Sequence, residues 1–98
     1  MKVKKYVWSW FDGDGIYTNT DDSLEEIIEG VFEYYFDDDV EIVVKKTENQ
    51  IEIEVTDHRN GLTKLHKIDN RCWSVADFLM LIASEEDRPD KFNIEEMC

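Results

Sequence analysis

The sequence predicts an α+β domain: an antiparallel sheet of about four strands carrying two helices, in the order β-α-β-β-β-α. Three observations lead there. An apolar stripe at helical spacing runs from Leu24 to Tyr35 behind a serine cap, two alternating segments over 40–58 are joined by a short polar link, and a second capped helix follows a glycine turn. The strands come in a run and do not alternate strictly with helices, which favours α+β over a parallel α/β sheet.

The elements follow in chain order. Residues 3–11 are aromatic and β-branched and suit a first strand, which Asp12-Gly13-Asp14-Gly15 breaks because glycine tolerates the positive φ of a turn. Ser23 is a fitting N-cap, and Glu26 three residues on completes a capping box. Leu24, Ile27, Ile28, Val31, Phe32 and Tyr35 form the buried stripe of the helix, which should stop near Phe36. Gly30 is unfavourable inside a helix by about 1 kcal/mol relative to Ala, and a close approach to the sheet would explain it. Val40, Ile42 and Val44 alternate, as do Ile51, Ile53 and Val55, so 40–47 and 50–58 read as a hairpin across Thr47-Glu48-Asn49. Asn60-Gly61 signals a type I′ turn into a strand over Leu62–Ile68, where Leu65 has the opposite parity from Leu62, His66 and Ile68. Ser74, with Asp77 in the reciprocal place, is expected to cap a second helix striped by Val75, Phe78, Leu79 and Ile82. After Pro89, the residues Phe92, Ile94 and Met97 make 89–98 a tail that docks or pairs.

The 98 residues suffice for one domain, 1–98, and their 42% hydrophobic content argues against disorder. The longest apolar run, Phe78 to Ala83, is far short of the ~20 residues that span a bilayer, and no secretory signal is visible, so a cytoplasmic protein is expected. Cys72 and Cys98 are too few for a disulfide scaffold, and read as a small buried hydrophobe and a frayed terminus. Trp8, Trp10, Met80, Leu81, Phe92 and Ile94 offer more apolar surface than a thin domain easily hides, which favours a homodimer.

Little in the chain points to chemistry. His58, His66 and Cys72 match no zinc-ligand spacing. An EF-hand starting at Asp12 would need an oxygen ligand, a glycine and a glutamate where Ile16, Tyr17 and Ser23 stand. No nucleophile elbow or phosphate-cradling glycine loop appears. The expectation is a protein that is not an enzyme, with no cofactor and no metal.

Charge is the strongest signal. The net charge is −13, and the stretch from Tyr6 to Val44 holds twelve acids and no Lys or Arg, so the rest of the chain sums to −1. Nucleic acids and anionic membranes are polyanions and are excluded as direct partners. Asp22, Glu26, Glu29 and Glu33 step at i, i+4, i+7 and i+11, with Glu25 beside them. Consecutive carboxylates of that ridge stand about 4.5–6 Å apart along the axis, against about 3.4 Å for phosphates on one DNA strand. Asp37, Asp38 and Asp39 prolong it past the helix end, and Tyr17, Tyr34 and Phe36 are the aromatic residues expected to anchor a partner. A merely solvated helix face would carry mixed signs, because like charges at i, i+4 weaken a helix.

A small, cysteine-poor acidic domain with such a helix resembles the phage-encoded inhibitors that mimic DNA, including anti-restriction and anti-CRISPR proteins. The resemblance covers the charge pattern of residues 12–41. It implies occupation of a basic nucleic-acid channel on a host defence nuclease or effector, in the host cytoplasm. Two alternatives share the composition: an immunity protein or antitoxin against a basic nuclease toxin, and a homodimeric regulatory module using the second helix and the tail.

Overall fold

The computed structural model describes residues 5–97; the expected strand start at Val3 and the terminal Cys98 lie outside the described residues. The elements are β1 (Tyr6–Phe11), β2 (Ile16–Asp21), α1 (Leu24–Phe36), β3 (Val40–Lys46), β4 (Gln50–Asp57), β5 (Leu62–Asp69), α2 (Cys72–Glu85) and β6 (Lys91–Glu96). The class is α+β with two helices, as expected. Among the described residues, however, six strands form two three-stranded antiparallel sheets, ordered β2-β1-β6 and β3-β4-β5, where one sheet of about four strands was predicted.

Two strands account for the difference. In β2 the residues paired with the tryptophans are Asn19 and Tyr17, so no apolar alternation marks it; pairing with β1 makes it a strand. β6 does alternate, and Phe92 and Ile94 lie opposite Trp10 and Trp8 in β1 and are buried. The segment expected as a docking tail is therefore an integral strand over 91–96.

One core joins both sheets through the helices. Tyr6, Trp8 and Trp10 of β1, Ile27, Ile28 and Val31 of α1, Ile51 and Ile53 of β4, and Val75, Phe78 and Leu79 of α2 belong to a single buried cluster. Burying each large apolar side chain contributes roughly 1.5–3 kcal/mol. Phe32 and Phe78 stack across the two helices with centroids 6.0 Å apart. With principal extents of 42 × 35 × 22 Å the molecule is flat, and the second face of each sheet is solvated.

Local chemistry departs from expectation at three places. The second helix starts at Cys72, with Arg71 as an N-cap that makes no side-chain bond, and Ser74 lies buried inside the first turn. The Arg71 N–H already bonds the Asp69 carbonyl at 2.9 Å as the chain leaves β5, and the helix begins three residues early. The β4–β5 connection is a four-residue loop, His58–Gly61, in which only Gly61 takes a positive φ, +72°, and its N–H donates to the Asp57 carbonyl. The type I′ turn is thus replaced by a longer loop closed through Gly61. That loop sets Asp57 opposite Leu62, which turns His66 and Ile68 inward and leaves Leu65 outside, in one row with Glu54 and Val43. Gly30 is not a close-approach glycine either: a Cβ added there would meet nothing within 4 Å.

No helix among the described residues is long and apolar enough to cross a membrane.

A candidate partner-binding face on the first helix

Helix α1 fixes the acidic residues from its first turn. The Glu26 N–H donates to Ser23 Oγ at 3.2 Å, and the Asp22 N–H donates to Glu26 Oε2 at 3.1 Å. This is the expected capping box with its second donor moved one residue back, and it holds Asp22 and Glu26 where the helix dipole favours anions. Glu29 and Glu33 follow on the exposed side, and among the described residues no basic side chain pairs with either. From Asp22 to Glu33 the ridge runs about 16 Å.

Glu25 departs from the ridge. It is half-buried, and its Oε1 lies 4.0 Å from Lys46 Nζ, because β3 returns along the flank of α1. Sequence distance hides that cation. At the other end, Asp37 takes φ +53°, and its N–H closes the helix on the Glu33 carbonyl at 2.9 Å. Asp37, Asp38 and Asp39 are all exposed in the turn that follows. They sit at the negative end of the dipole, where like charge is unfavourable.

The three expected anchors separate. Tyr17 and Tyr34 are 52% and 65% exposed, and both rings stand edge-on to Trp10, at 6.3 and 4.7 Å between centroids. Phe36 is 7% exposed, falls on the same buried side of α1 as Phe32, and lies under the Arg59 guanidinium at 5.1 Å. It is a core residue and leaves the anchor set.

Away from α1, several charges are paired. Arg59 bridges Asp57 at 2.9 Å and Glu86 at 3.1 Å, and its guanidinium holds the Asp57 carboxyl below the usual carboxylate range. Lys67 faces Glu52 at 3.7 Å, and His58 lies 3.5 Å from Glu41. Within the one-signed stretch, Glu25 and Glu41 thus have a basic side chain beside them, while the outer side of α1 and the aspartate turn keep their acids without one among the described residues.

Beside that ridge, β2 and α1 enclose a groove of about 450 Å³ floored by Trp8 and Trp10. Both tryptophans are buried by their neighbours, so they are not the surplus surface that suggested a dimer; nor are Phe92 and Ile94. Sequence reasoning missed this groove, since nothing in the order of residues brings Trp10, Tyr17, Gly30 and Tyr34 together. An unfilled helix glycine was the one available signal.

A second buried polar feature was equally invisible. Asp90, 4% exposed, accepts the Trp10 indole N–H at 2.9 Å and the Tyr35 hydroxyl through the same Oδ2. Burial first, and this carboxylate second, push the Tyr35 hydroxyl well above the usual tyrosine range. Among the described residues no group of His, Cys, Asp or Glu is arranged to hold a metal ion. His66 packs edge-on against Phe78, and the Cys72 thiol is raised mainly by burial. Asp12 Oδ1 accepts the N–H groups of Asp14 and Gly15, both at 3.0 Å, so this carboxylate closes its own turn.

Comparison of the chain with protein-family models, curated proteins and solved structures finds no match.

Proposed function

We propose that this chain is a small acidic inhibitor that binds a basic nucleic-acid-binding surface, acting by DNA mimicry in the manner of anti-CRISPR or anti-restriction proteins. It works by occupying a channel and not by catalysis, in the cytoplasm of the host cell. The observation that carries the reading is the exposed side of α1, where Glu29 and Glu33 stand in one row with Glu26 and have no basic partner among the described residues. Three local penalties sharpen it. The helix keeps like charges at i, i+4, a glycine in its interior and a non-glycine residue at φ +53° followed by two more acids. A sequence selected only for stability would remove each of these, and all three lie along or beside one face.

Lys and Arg residues that neutralise phosphates read charge and not base identity, so a carboxylate array can compete for them. Binding to such a target is expected to be displaced by duplex DNA and to weaken as salt rises from about 50 to 300 mM. An affinity indifferent to both would count against mimicry.

Homodimerisation through α2 is the second reading, favoured by Trp73 and Leu81, which are 60% and 50% exposed about two turns apart beside the β5 edge. Light scattering separates the two: a stable dimer lost in Trp73→Ala supports it, and a monomer at high concentration removes it.

A further inference from the structure

The groove between β2 and α1 has a composition that the ridge lacks. Trp8 and Trp10 stack as its floor with centroids 6.4 Å apart and planes 22° from parallel. Tyr17 rises on the β2 side and Tyr34 on the α1 side, both edge-on to Trp10. On the helix wall Glu26, Gly30 and Tyr34 stand at i, i+4 and i+8, so Gly30 is a gap between a carboxylate and a ring. A Cβ added there would meet nothing within 4 Å.

Carboxylates stand at both ends, each held by the protein's own donors. Asp21 Oδ2 accepts the Trp8 indole N–H at 2.7 Å, and Glu26 Oε2 accepts the Asp22 N–H at 3.1 Å. Among the described residues Asp21 Oδ1 and Glu26 Oε1 accept no hydrogen bond. At the far end the N–H groups of Asp14 and then Gly15 keep the Asp12 carboxyl below its ordinary range, and its charge in turn raises the Tyr17 hydroxyl.

We infer that this groove receives an arginine side chain of a partner protein. The inference rests on the reading that the partner is basic, and it adds where the contact is anchored. Aromatic faces attract cations through the ring quadrupole. Oriented carboxylate oxygens suit the planar fork of a guanidinium, which is weakly hydrated and stacks on rings. A lysine ammonium is a compact, strongly hydrated point charge and meets the same rings at a greater desolvation cost. A neutral aromatic ligand would leave the carboxylates of Asp21 and Glu26 facing it without donors. The acidic residues alone would define only a charged surface; the exposed rings of Tyr17 and Tyr34, above the buried tryptophans, and the unfilled wall at Gly30 make a place for one flat cation.

The probe is the blocked tripeptide glycyl-arginyl-glycine, with the citrulline tripeptide as its uncharged isostere. In a Trp73→Phe background, tryptophan emission reports on Trp8 and Trp10 alone. A saturable change is expected for the arginine peptide, at least tenfold weaker for citrulline and several-fold weaker for the lysine peptide. Gly30→Leu, which fills the gap and strengthens the helix, should abolish the arginine response. Glu29→Lys/Glu33→Lys, on the ridge and outside the groove, should leave it within about twofold, while losing partner capture. Equal responses to arginine and citrulline, or full arginine binding in Gly30→Leu, would overturn the inference. Loss of partner capture in the ridge variant with arginine binding retained tests the ridge alone, so failures of the two readings are distinguishable.

Discussion

At the scale of single residues, Asp90 carries the most structural weight. It is a buried carboxylate on which an indole and a phenol converge, tying β1, α1 and the entry to β6 together. Asp90→Ala strands both donors, and an unmet buried polar group costs about 1–3 kcal/mol each. Urea melts are expected to show a loss of about 3 kcal/mol, with Asp90→Asn, which keeps an acceptor, losing less. The raised Tyr35 hydroxyl has a consequence with a definite sign. Its proton is held more tightly in the folded chain, so its stabilisation is complete below the ordinary value of 10.0 and is lost as pH rises beyond it. Melts at pH 8 and pH 11 should show that loss, and Tyr35→Phe should shrink it. An alkaline loss unchanged in Tyr35→Phe would assign it to other groups. None of this was legible in the sequence, because Asp90 beside Pro89 reads as one more acid of an acidic chain.

At the scale of elements, legibility followed periodicity. Helix α1, its cap and its end, and the β3–β4 hairpin are written in apolar spacing and turn chemistry, and all appear where the spacing puts them. β2 has no such spacing: its outward residues are solvated and its inward ones are Tyr17, Asn19 and Asp21, placed by pairing with β1. Tertiary context overrides the local signal there. The acidic ridge was legible because it lies on one periodic helix, whereas the groove is built across elements and was not. Two substitutions test whether α1 forgoes stability for its outer face. Gly30→Ala puts a methyl into open space and is expected to raise stability by about 0.5–1 kcal/mol. Asp37→Gly relieves a positive φ and removes one charge from the wrong end of the dipole, for a gain of about 1 kcal/mol. Thermal denaturation checks both; a loss in either would mean that the native residue makes a structural contact.

At the scale of the whole molecule, a net charge of −13 on a flat 98-residue chain dominates. Self-repulsion is screened within a Debye length of about 8–10 Å near physiological salt, so the melting midpoint should rise between 20 and 300 mM NaCl. An unchanged or lower midpoint would show that the pairs at Arg59 and Lys67 outweigh the repulsion. Mild acid also relieves repulsion. In stronger acid Asp12 and Asp57, whose carboxyls sit below the ordinary 3.8, lose the interactions that hold them, and stability falls as pH drops through their folded values. The central claim concerns the face of α1, and Glu26 is a poor place to test it because its carboxylate completes the helix cap. Glu29→Lys/Glu33→Lys/Asp38→Lys reverses charge at three exposed positions outside the cap. The most direct measurement is capture from host lysate by wild type and this variant side by side, with duplex DNA added to the captured material. The account predicts a basic nucleic-acid-binding protein held by wild type, released by DNA and absent from the variant, while circular dichroism shows the variant folded. A partner held equally by both proteins, or one that DNA does not release, would contradict it.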